Sequence, residues 1–182
     1  MMQGMKVTRT NLEGLLIIEP KVYGDPRGYF TETYHRSRLE SLGIRREFIQ
    51  DNQSRSTYGV IRGLHFQREP HAQAKLIRVT EGTILDVAVD LRSGSPTFGK
   101  WLGMELSAEN HLQLLIPPGF AHGFSVLSDQ ATVFYKCDAY YNPASESGIR
   151  YNDPDLRIDW KIDPAEAVIS DKDRALPLLK DL

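Results

Sequence analysis

Two histidines stand in segments that could place them in a binding site. His65 lies in residues 59–67, GVIRGLHFQ. His122 lies in residues 116–124, IPPGFAHGF, three residues after the last residue of a Pro-Pro-Gly turn. An imidazole has an unperturbed pKa of about 6.5, so it can act as a general base near neutral pH. A lone histidine is more often a buried structural residue, but Gly63, two residues before His65, suits the close approach of a ligand or another strand.

The spacing around His122 resembles the second motif of the cupin superfamily, whose first motif supplies His-x-His and a following glutamate. Residues 65–67 read His-Phe-Gln instead, and no glutamate follows at three or four residues. Two of four ligands are too few for a stable metal site. His71 follows Pro70 in a polar loop and is expected to be solvated. We therefore expect a cupin-like barrel that holds no metal.

Basic and polar side chains are interleaved with these segments. Charge within a strand is unexpected unless an anion pairs with it, and Arg62 and Lys75 both fall within strand-like segments. Cations inside a barrel fit a diphosphate or a developing enolate. The basic and polar residues of this set are Arg27, Gln50, Asn52, Arg62, Lys75 and Arg78. Any one of them alone would more often be a surface residue than a ligand contact.

Residues 134–143, FYKCDAYYNP, alternate so that Tyr135, Cys137, Ala139 and Tyr141 share one face. Tyrosines on a strand usually serve packing. A phenol that faces a histidine across a barrel could nevertheless act as a general acid, and a second aromatic ring could stack on a nucleobase.

Two aspartates flank a lysine in residues 169–177, ISDKDRALP. Asp171 or Asp173 could fix the tautomer of His65 by a hydrogen bond to one ring nitrogen. From the sequence alone, a solvated charged tail is the simpler expectation.

Short strand-like segments recur at a spacing of roughly ten residues, which is typical of a sandwich or barrel. In residues 83–91 the alternation places Leu85, Val87 and Val89 on one face, and Asp86 and Asp90 on the other. Residues 36–42 could form two helical turns that Gly43 ends, and the tail from Pro164 onward could hold another turn or two. The predicted strands are 14–19, 60–66, 75–80, 83–91, 101–106, 112–116, 123–127 and 131–141.

Composition bounds the function. The chain has 182 residues, enough for one domain, and its formal net charge of −2 gives no overall attraction to nucleic acid or to an anionic membrane. Cys137 is the lone cysteine, and neither a signal peptide nor a membrane-length apolar run is found. We expect a cytoplasmic protein without membrane or nucleic-acid partners. Without a βαβ rhythm or G-x-G-x-x-G, an NAD-dependent sugar-nucleotide enzyme is disfavoured.

Seven segments, in one order from about Asp25 to Asp173, resemble the dTDP-4-dehydrorhamnose 3,5-epimerase family. Any one of them would be a weak match, but seven in register are specific. The segments are DPRGYFTETY, FIQDNQSRS, GVIRGLHFQ, KLIRVTEGTILDVAVDLRSGSPTFGKW, LSAENHLQLLIPPGFAHGF, YKCDAYYNP and SDKD.

The resemblance implies an all-β, cupin-like jelly-roll barrel with a few short helices, acting as a homodimer without metal or cofactor. A single domain over residues 1–182 is expected, with a barrel core at about 14–142 and a C-terminal extension at about 143–182. The implied reaction of dTDP-L-rhamnose biosynthesis inverts C3 and C5 of dTDP-4-dehydro-6-deoxy-D-glucose through an enolate. Such a reaction removes a proton next to the ketone and returns one on the opposite face.

The resemblance also implies residue roles. His65 would be the base, Tyr135 the acid and Lys75 the group that stabilises the enolate oxygen. Asp173 would be the partner of His65, with Asp171 close enough to remain an alternative. Tyr141 would stack on thymine. The substrate-binding residues would be Arg27, Glu32, Gln50, Asp51, Asn52, Arg62, Lys75, His122, Tyr141, Glu146 and Lys172.

Three other functions remain open at this point. A single-site dTDP-ketosugar epimerase of antibiotic-sugar biosynthesis, which inverts only C3 or only C5, would carry a similar set of catalytic residues. A metal-dependent cupin oxygenase or isomerase would need the His-x-His motif that Gln67 interrupts. A non-catalytic sugar-binding cupin would keep its role without His65 or Tyr135.

Overall fold

A computed structural model describes residues 4–182, which form thirteen strands, two short α-helices and two 3-10 turns. The helices are α1 (Arg36–Ser41) and α2 (Asp171–Arg174), and the 3-10 turns cover Pro143–Ser145 and Leu179–Asp181. The strands are β1 (Met5–Arg9), β2 (Leu16–Pro20), β3 (Val22–Asp25), β4 (Gly28–Thr31), β5 (Gln50–Thr57), β6 (Ile61–Gln67), β7 (Lys75–Glu81), β8 (Thr83–Asp90), β9 (Trp101–Ser107), β10 (Gln113–Ile116), β11 (Phe120–Val126), β12 (Gln130–Cys137) and β13 (Glu146–Gly148).

Two antiparallel sheets face each other and form the predicted all-β jelly-roll barrel. One sheet has the order β1-β2-β10-β7-β12-β5 and the other has the order β13-β6-β11-β8-β9. The hairpin β3–β4 stands apart as a two-stranded sheet. Within residues 4–182, no helix is long and apolar enough to cross a membrane.

Alternation along the strands builds two apolar layers. The predicted pattern of β8 is confirmed: Ile84 and Ala88 enter the core between the sheets, whereas Leu85 and Val87 enter a second core on the outer face of the five-stranded sheet. Each fully buried Leu, Ile or Val side chain contributes about 1.5–3 kcal/mol. The inner face also carries Asp86, so β8 brings a charge into the barrel.

The C-terminal segment covers the outer face of the five-stranded sheet. Ile149, Leu156 and Trp160 are buried there, and the Trp101 indole N–H donates to the Leu156 carbonyl at 2.8 Å. The edge of β6 is tied to the same segment by Ile61, whose N–H donates to the Val168 carbonyl at 3.0 Å. This packing holds the chain in place immediately before α2.

The predicted helix at residues 36–42 is observed as α1, and Leu39 on α1 packs into a third core on the outer face of the six-stranded sheet. Gly43 follows with φ of +89°, a conformation that suits glycine at a helix end. The two turns expected in the tail correspond to α2 and to the 3-10 turn at Leu179–Asp181.

Several strands were not expected from the sequence. β5 consists mainly of polar residues, so its regular alternation of half-buried and exposed positions has no apolar signature. The hairpin β3–β4 is exposed along most of its length. In the other direction, the strand predicted to reach Tyr141 ends at Cys137, and Tyr141 lies in the following loop.

Candidate active site

A cavity of about 540 Å³ opens between the two sheets, within the usual size range of small-molecule sites. Both sheets and α2 contribute to its wall. The charged, phenolic and imidazole side chains that line it are Arg62, His65, Lys75, His122, Tyr135, Lys172 and Asp173.

His65 is paired with Asp173. Its Nε2 lies 2.7 Å from Asp173 Oδ1, and Asp173 Oδ2 accepts the Gly63 N–H at 3.1 Å. Burial alone would raise the pKa of Asp173, but the bonds from His65 and Gly63 outweigh it and hold the pKa below its usual range. The carboxylate therefore stays charged and fixes the ring.

The short helix α2 sets the position of Asp173. Ser170 caps the helix by accepting the Asp173 N–H at 3.1 Å. Asp173 is buried whereas Asp171 is exposed on the same turn, so Asp173 is the aspartate that pairs with His65. The expectation of a solvated charged tail is wrong for Asp173. The segment before α2 packs on the five-stranded sheet and places α2 in contact with β6.

A bulge in β6 places Arg62 and His65 in the same cavity. His65 lies opposite His122, and Arg62 lies opposite Phe124, so two residues of β6 face the single Gly123 of β11. Strict alternation along a strand would put Arg62 and His65 on opposite faces, but the bulge adds one residue and brings both side chains to the cavity. A Cβ on Gly63 would lie 2.6 Å from the Gly123 Cα, so the close strand approach requires glycine.

His122 is paired with a second buried aspartate. Its Nε2 lies 2.7 Å from Asp86 Oδ1. Burial lowers the pKa of His122 despite the opposing effect of Asp86, and the positive charge of Lys75 adds to the lowering. The ring is therefore neutral near pH 7. Sequence reasoning did not select Asp86, although its signal was visible as a carboxylate among the apolar residues of β8.

Lys75 and Tyr135 project from the opposite sheet. They lie on the neighbouring strands β7 and β12, where Lys75 pairs with Cys137 and Tyr135 with Ile77. Burial lowers the pKa of Lys75 and raises the pKa of Tyr135. The phenol therefore remains protonated at neutral pH, and no hydrogen bond joins the Lys75 ammonium to another described side chain.

A polar rim surrounds the mouth of the cavity. Glu146 accepts from Lys172 Nζ at 2.7 Å and from the Tyr141 hydroxyl at 2.8 Å. Further along, Arg62 Nε donates to Ser56 Oγ at 3.0 Å. Tyr141 is half exposed, so a ligand can reach its side chain.

Gln50 and Asn52 lie on the inward face of β5, beside the cavity but outside its lining. Gln50 donates to Asn52 at 3.1 Å and accepts the Tyr141 N–H at 2.9 Å. Asp51 does not fit the expected role in this subunit, because strand alternation turns it to the outer face, where it pairs with Lys136 at 2.8 Å.

Two further expected ligands also lie away from the cavity. Arg27 is exposed at the tip of the β3–β4 hairpin and pairs with Asp25. Glu32 pairs with Arg38 of α1 at 2.6 Å. The described chain thus does not bring either residue into its own cavity.

Two other expectations can be compared with the structure. His71 is not solvated as expected: its Nδ1 lies 2.8 Å from Ser145 Oγ and its Nε2 lies 3.2 Å from Asn142 Nδ2, so it holds the loop after β12. Arg78 stands on the outer face of β7, 4.9 Å above the Phe134 ring.

Among residues 4–182, no group of three or more His, Cys, Asp and Glu side chains is arranged to hold a metal ion.

Comparison with known proteins gives consistent matches over nearly the whole chain. Residues 9–181 match the family model described as dTDP-4-dehydrorhamnose 3,5-epimerase. A curated protein of that name from Escherichia coli strain K12 is 51% identical over 98% of this chain and 96% of its own length.

Solved structures agree with the sequence matches. The crystal structure of the dTDP-4-dehydrorhamnose 3,5-epimerase from Elizabethkingia anophelis is 54% identical, with a TM-score of 0.94 over 98% of both chains. A Legionella pneumophila epimerase crystallised with dTDP-4-keto-L-rhamnose is 52% identical, with a TM-score of 0.92 over 97% of this chain and 93% of that chain.

Proposed function

The chain belongs to the dTDP-4-dehydrorhamnose 3,5-epimerase family, and from this premise we propose how its cavity inverts two carbons of a sugar nucleotide. The substrate is dTDP-4-dehydro-6-deoxy-D-glucose and the product is dTDP-4-dehydro-L-rhamnose. The observation that carries the proposal is the arrangement of His65 and Tyr135, which enter one cavity from opposite sheets.

His65 acts as the base. Its Nε2 is engaged with Asp173, so Nδ1 is the nitrogen that can take the proton from the carbon next to the ketone. Proton removal leaves an enolate on the sugar and an imidazolium on His65. The Asp173 carboxylate stabilises that imidazolium without itself becoming protonated.

Tyr135 acts as the acid on the other face of the sugar. Its raised pKa keeps the phenol protonated until the enolate forms. Transfer of that proton to the carbon restores the ketone with inverted configuration. The phenolate then takes a proton from solvent and the His65 imidazolium releases one to solvent, which restores both groups. The same two groups serve C3 and C5 in turn, since both carbons flank the C4 ketone.

Lys75 stabilises the enolate oxygen. Its ammonium group lines the cavity and projects from the same sheet as Tyr135. Positioned donors of this kind stabilise charge that develops only in the transition state. The negative charge of the enolate also favours the protonated form of Lys75, which burial disfavours.

The diphosphate and the thymine of the substrate lie at the rim of the cavity. Arg62 and Lys172 supply positive charge to the cavity wall, which suits a diphosphate although the chain is net negative. Tyr141 stacks on thymine with its half-exposed ring, a contact worth about 1–3 kcal/mol. The hydrogen bond from its hydroxyl to Glu146 restricts the orientation of the ring.

A homodimer accounts for the two expected ligands that lie away from the cavity. The hairpin that carries Arg27 exposes 62% of Tyr29 and 67% of Phe30, an apolar surface that a second copy of the chain would cover. We place Arg27 and Glu32 in the partner's site on this basis. A lone free thiol in a buried position fits a reducing, cytoplasmic setting.

Mixed dimers test the shared site. Arg27→Ala and His65→Ala, co-expressed with different tags and purified as hybrids, should regain about half of wild-type turnover if Arg27 acts across the interface, because one of the two sites is then intact. If Arg27 acts within its own subunit, each site of the hybrid carries one defect and activity stays at the level of the single variants.

A coupled assay tests the function itself. The enzyme is incubated with dTDP-4-dehydro-6-deoxy-D-glucose and a 4-ketoreductase that traps the product, and the sugar configuration is read by NMR. An L-rhamno product supports the 3,5-epimerase. A product inverted at one carbon would point to a single-site epimerase, and tight binding without inversion would point to a sugar-binding cupin.

A further inference from the structure

Asp86 is a buried carboxylate that the mechanism so far does not use. It lies on β8 with no solvent exposure, and its Oδ1 is 2.7 Å from His122 Nε2. Its second oxygen, Oδ2, is buried without a hydrogen-bond partner among the described residues. A half-satisfied buried carboxylate is costly, so a role in holding the fold does not explain its presence behind His122, which lines the cavity.

The two histidine–aspartate pairs are built alike. His65 and His122 face each other on β6 and β11, and each directs Nε2 to a buried aspartate. In each ring Nδ1 is the nitrogen left for the cavity. Among residues 4–182, no hydrogen bond engages Nδ1 of His122, although His122 lines the cavity.

Chemistry fixes which nitrogen of His122 carries the proton. A carboxylate only accepts hydrogen bonds, so Nε2 must hold the hydrogen that points at Asp86. The charged or titratable groups that act on His122 are Asp86, Lys75 and His65, and burial keeps the ring neutral. Nδ1 therefore presents a lone pair, and His122 is a hydrogen-bond acceptor.

We propose that Asp86 is a positioning residue that holds His122 in the Nε2–H tautomer, so that Nδ1 accepts a hydrogen bond from the sugar hydroxyl next to the ketone. This inference rests on the proposed function. Lys75 donates to the ketone oxygen and His122 accepts from the adjacent hydroxyl. The pair thus recognises an α-hydroxyketone by one donor and one acceptor.

The first test is the tautomer itself in the free protein. In ¹⁵N-labelled wild-type enzyme, the His122 ring should give the NMR signature of an Nε2–H tautomer at pH 7. In Asp86→Asn the amide NH₂ can donate to Nε2, which moves the ring proton to Nδ1. An Nδ1–H tautomer in the wild type would overturn the inference, because the proposed acceptor nitrogen would then be a donor.

The second test is discrimination between two substrates. Exchange of the C5 proton is measured in D2O with the normal substrate and with its 3-deoxy analogue, which lacks the adjacent hydroxyl. The wild type should favour the hydroxylated substrate, and Asp86→Asn should lose about tenfold of that preference. An unchanged ratio of the two rates would contradict the proposal.

Asp90→Asn is the matched control. Asp90 lies on the same strand and face, is equally buried, and bonds Arg92, Ser95 and Thr97 outside the cavity. This variant should keep both the tautomer and the rate ratio. His122→Phe, which loses the acceptor without altering Asp86, should match Asp86→Asn in the rate ratio and covers the case in which Asp86→Asn does not fold.

The tests separate this inference from the proposed function. The tautomer is measured without substrate. The inference about Asp86 can therefore be rejected even if the enzyme inverts both carbons. Conversely, an absence of any exchange by the wild type would reject the epimerase function and leave the tautomer result intact.

Discussion

His65 and Tyr135 project into the same cavity from opposite sheets of the barrel. A sugar ring held between the two sheets would present one face to the imidazole and the opposite face to the phenol. Inversion needs such an arrangement, because a single group on one face would return the proton to the side from which it came. The predictions on catalysis depend on this opposed placement of His65 and Tyr135.

The first prediction concerns the aspartates of α2. Asp173→Asn should lower kcat about 10²- to 10⁴-fold, because an amide can no longer hold His65 in the working tautomer. Asp171→Asn is the matched control on the same turn, where the carboxylate is exposed. Steady-state kinetics of both variants decide the assignment, and equal losses would contradict it.

The second prediction concerns Tyr135. In Tyr135→Phe the base remains, so deuterium should still enter the substrate from D2O on the His65 face. Net inversion should fall by at least about 100-fold, since the donor on the opposite face is missing. NMR follows both processes in one sample, and undiminished inversion would show that another group supplies the proton.

Strand alternation made much of the fold predictable, and particular residues show where it failed. The apolar pattern of residues 83–91 correctly placed Leu85 and Val87 on one face and Asp86 on the other. The bulge in β6 was not predictable, because Gly63 permits several backbone conformations and only its packing against Gly123 selects one.

The site was predictable only in part from local sequence. Asp173 meets His65 across 108 positions of the chain, and that contact depends on how the C-terminal segment packs rather than on spacing. Family resemblance supplied Asp173, whereas composition alone favoured a solvated tail. Arg27 and Glu32 were assigned to the site by resemblance alone, and the described chain does not bring them to its own cavity.

The third prediction concerns the contact between β6 and β11. Gly63→Ala should lower the free energy of unfolding by about 3 kcal/mol, because the backbone has φ of +118° and the new Cβ would meet Gly123 and the His122 carbonyl. Gly94→Ala, with φ of +76° and nothing within 4 Å of the new Cβ, should cost only about 1 kcal/mol. Urea unfolding compares them, and equal costs would contradict the steric explanation.

The fourth prediction concerns stability at low pH. Burial alone would raise the pKa of Asp90, but bonds from Arg92, Ser95 and Thr97 hold it well below its ordinary value of 3.8. Such a group stabilises the fold above its unfolded-state pKa, and that contribution is lost as the pH falls toward the folded-state pKa.

Asp90→Asn removes that contribution and should cost about 2 kcal/mol at pH 7. The stability difference between wild type and variant should therefore shrink as the pH falls from about 5 to 2. Urea unfolding across this range measures the difference, and a gap that stays constant with pH would reject the assignment.

The most direct test of the account is deuterium incorporation by metal-stripped enzyme in D2O, followed by NMR of dTDP-4-dehydro-6-deoxy-D-glucose. We predict that deuterium enters at both C3 and C5, and that His65→Ala lowers both rates by about 10²- to 10⁴-fold while substrate binding is retained. Exchange at one carbon alone would reduce the protein to a single-site epimerase. No exchange without added metal, or full exchange by His65→Ala, would contradict the mechanism.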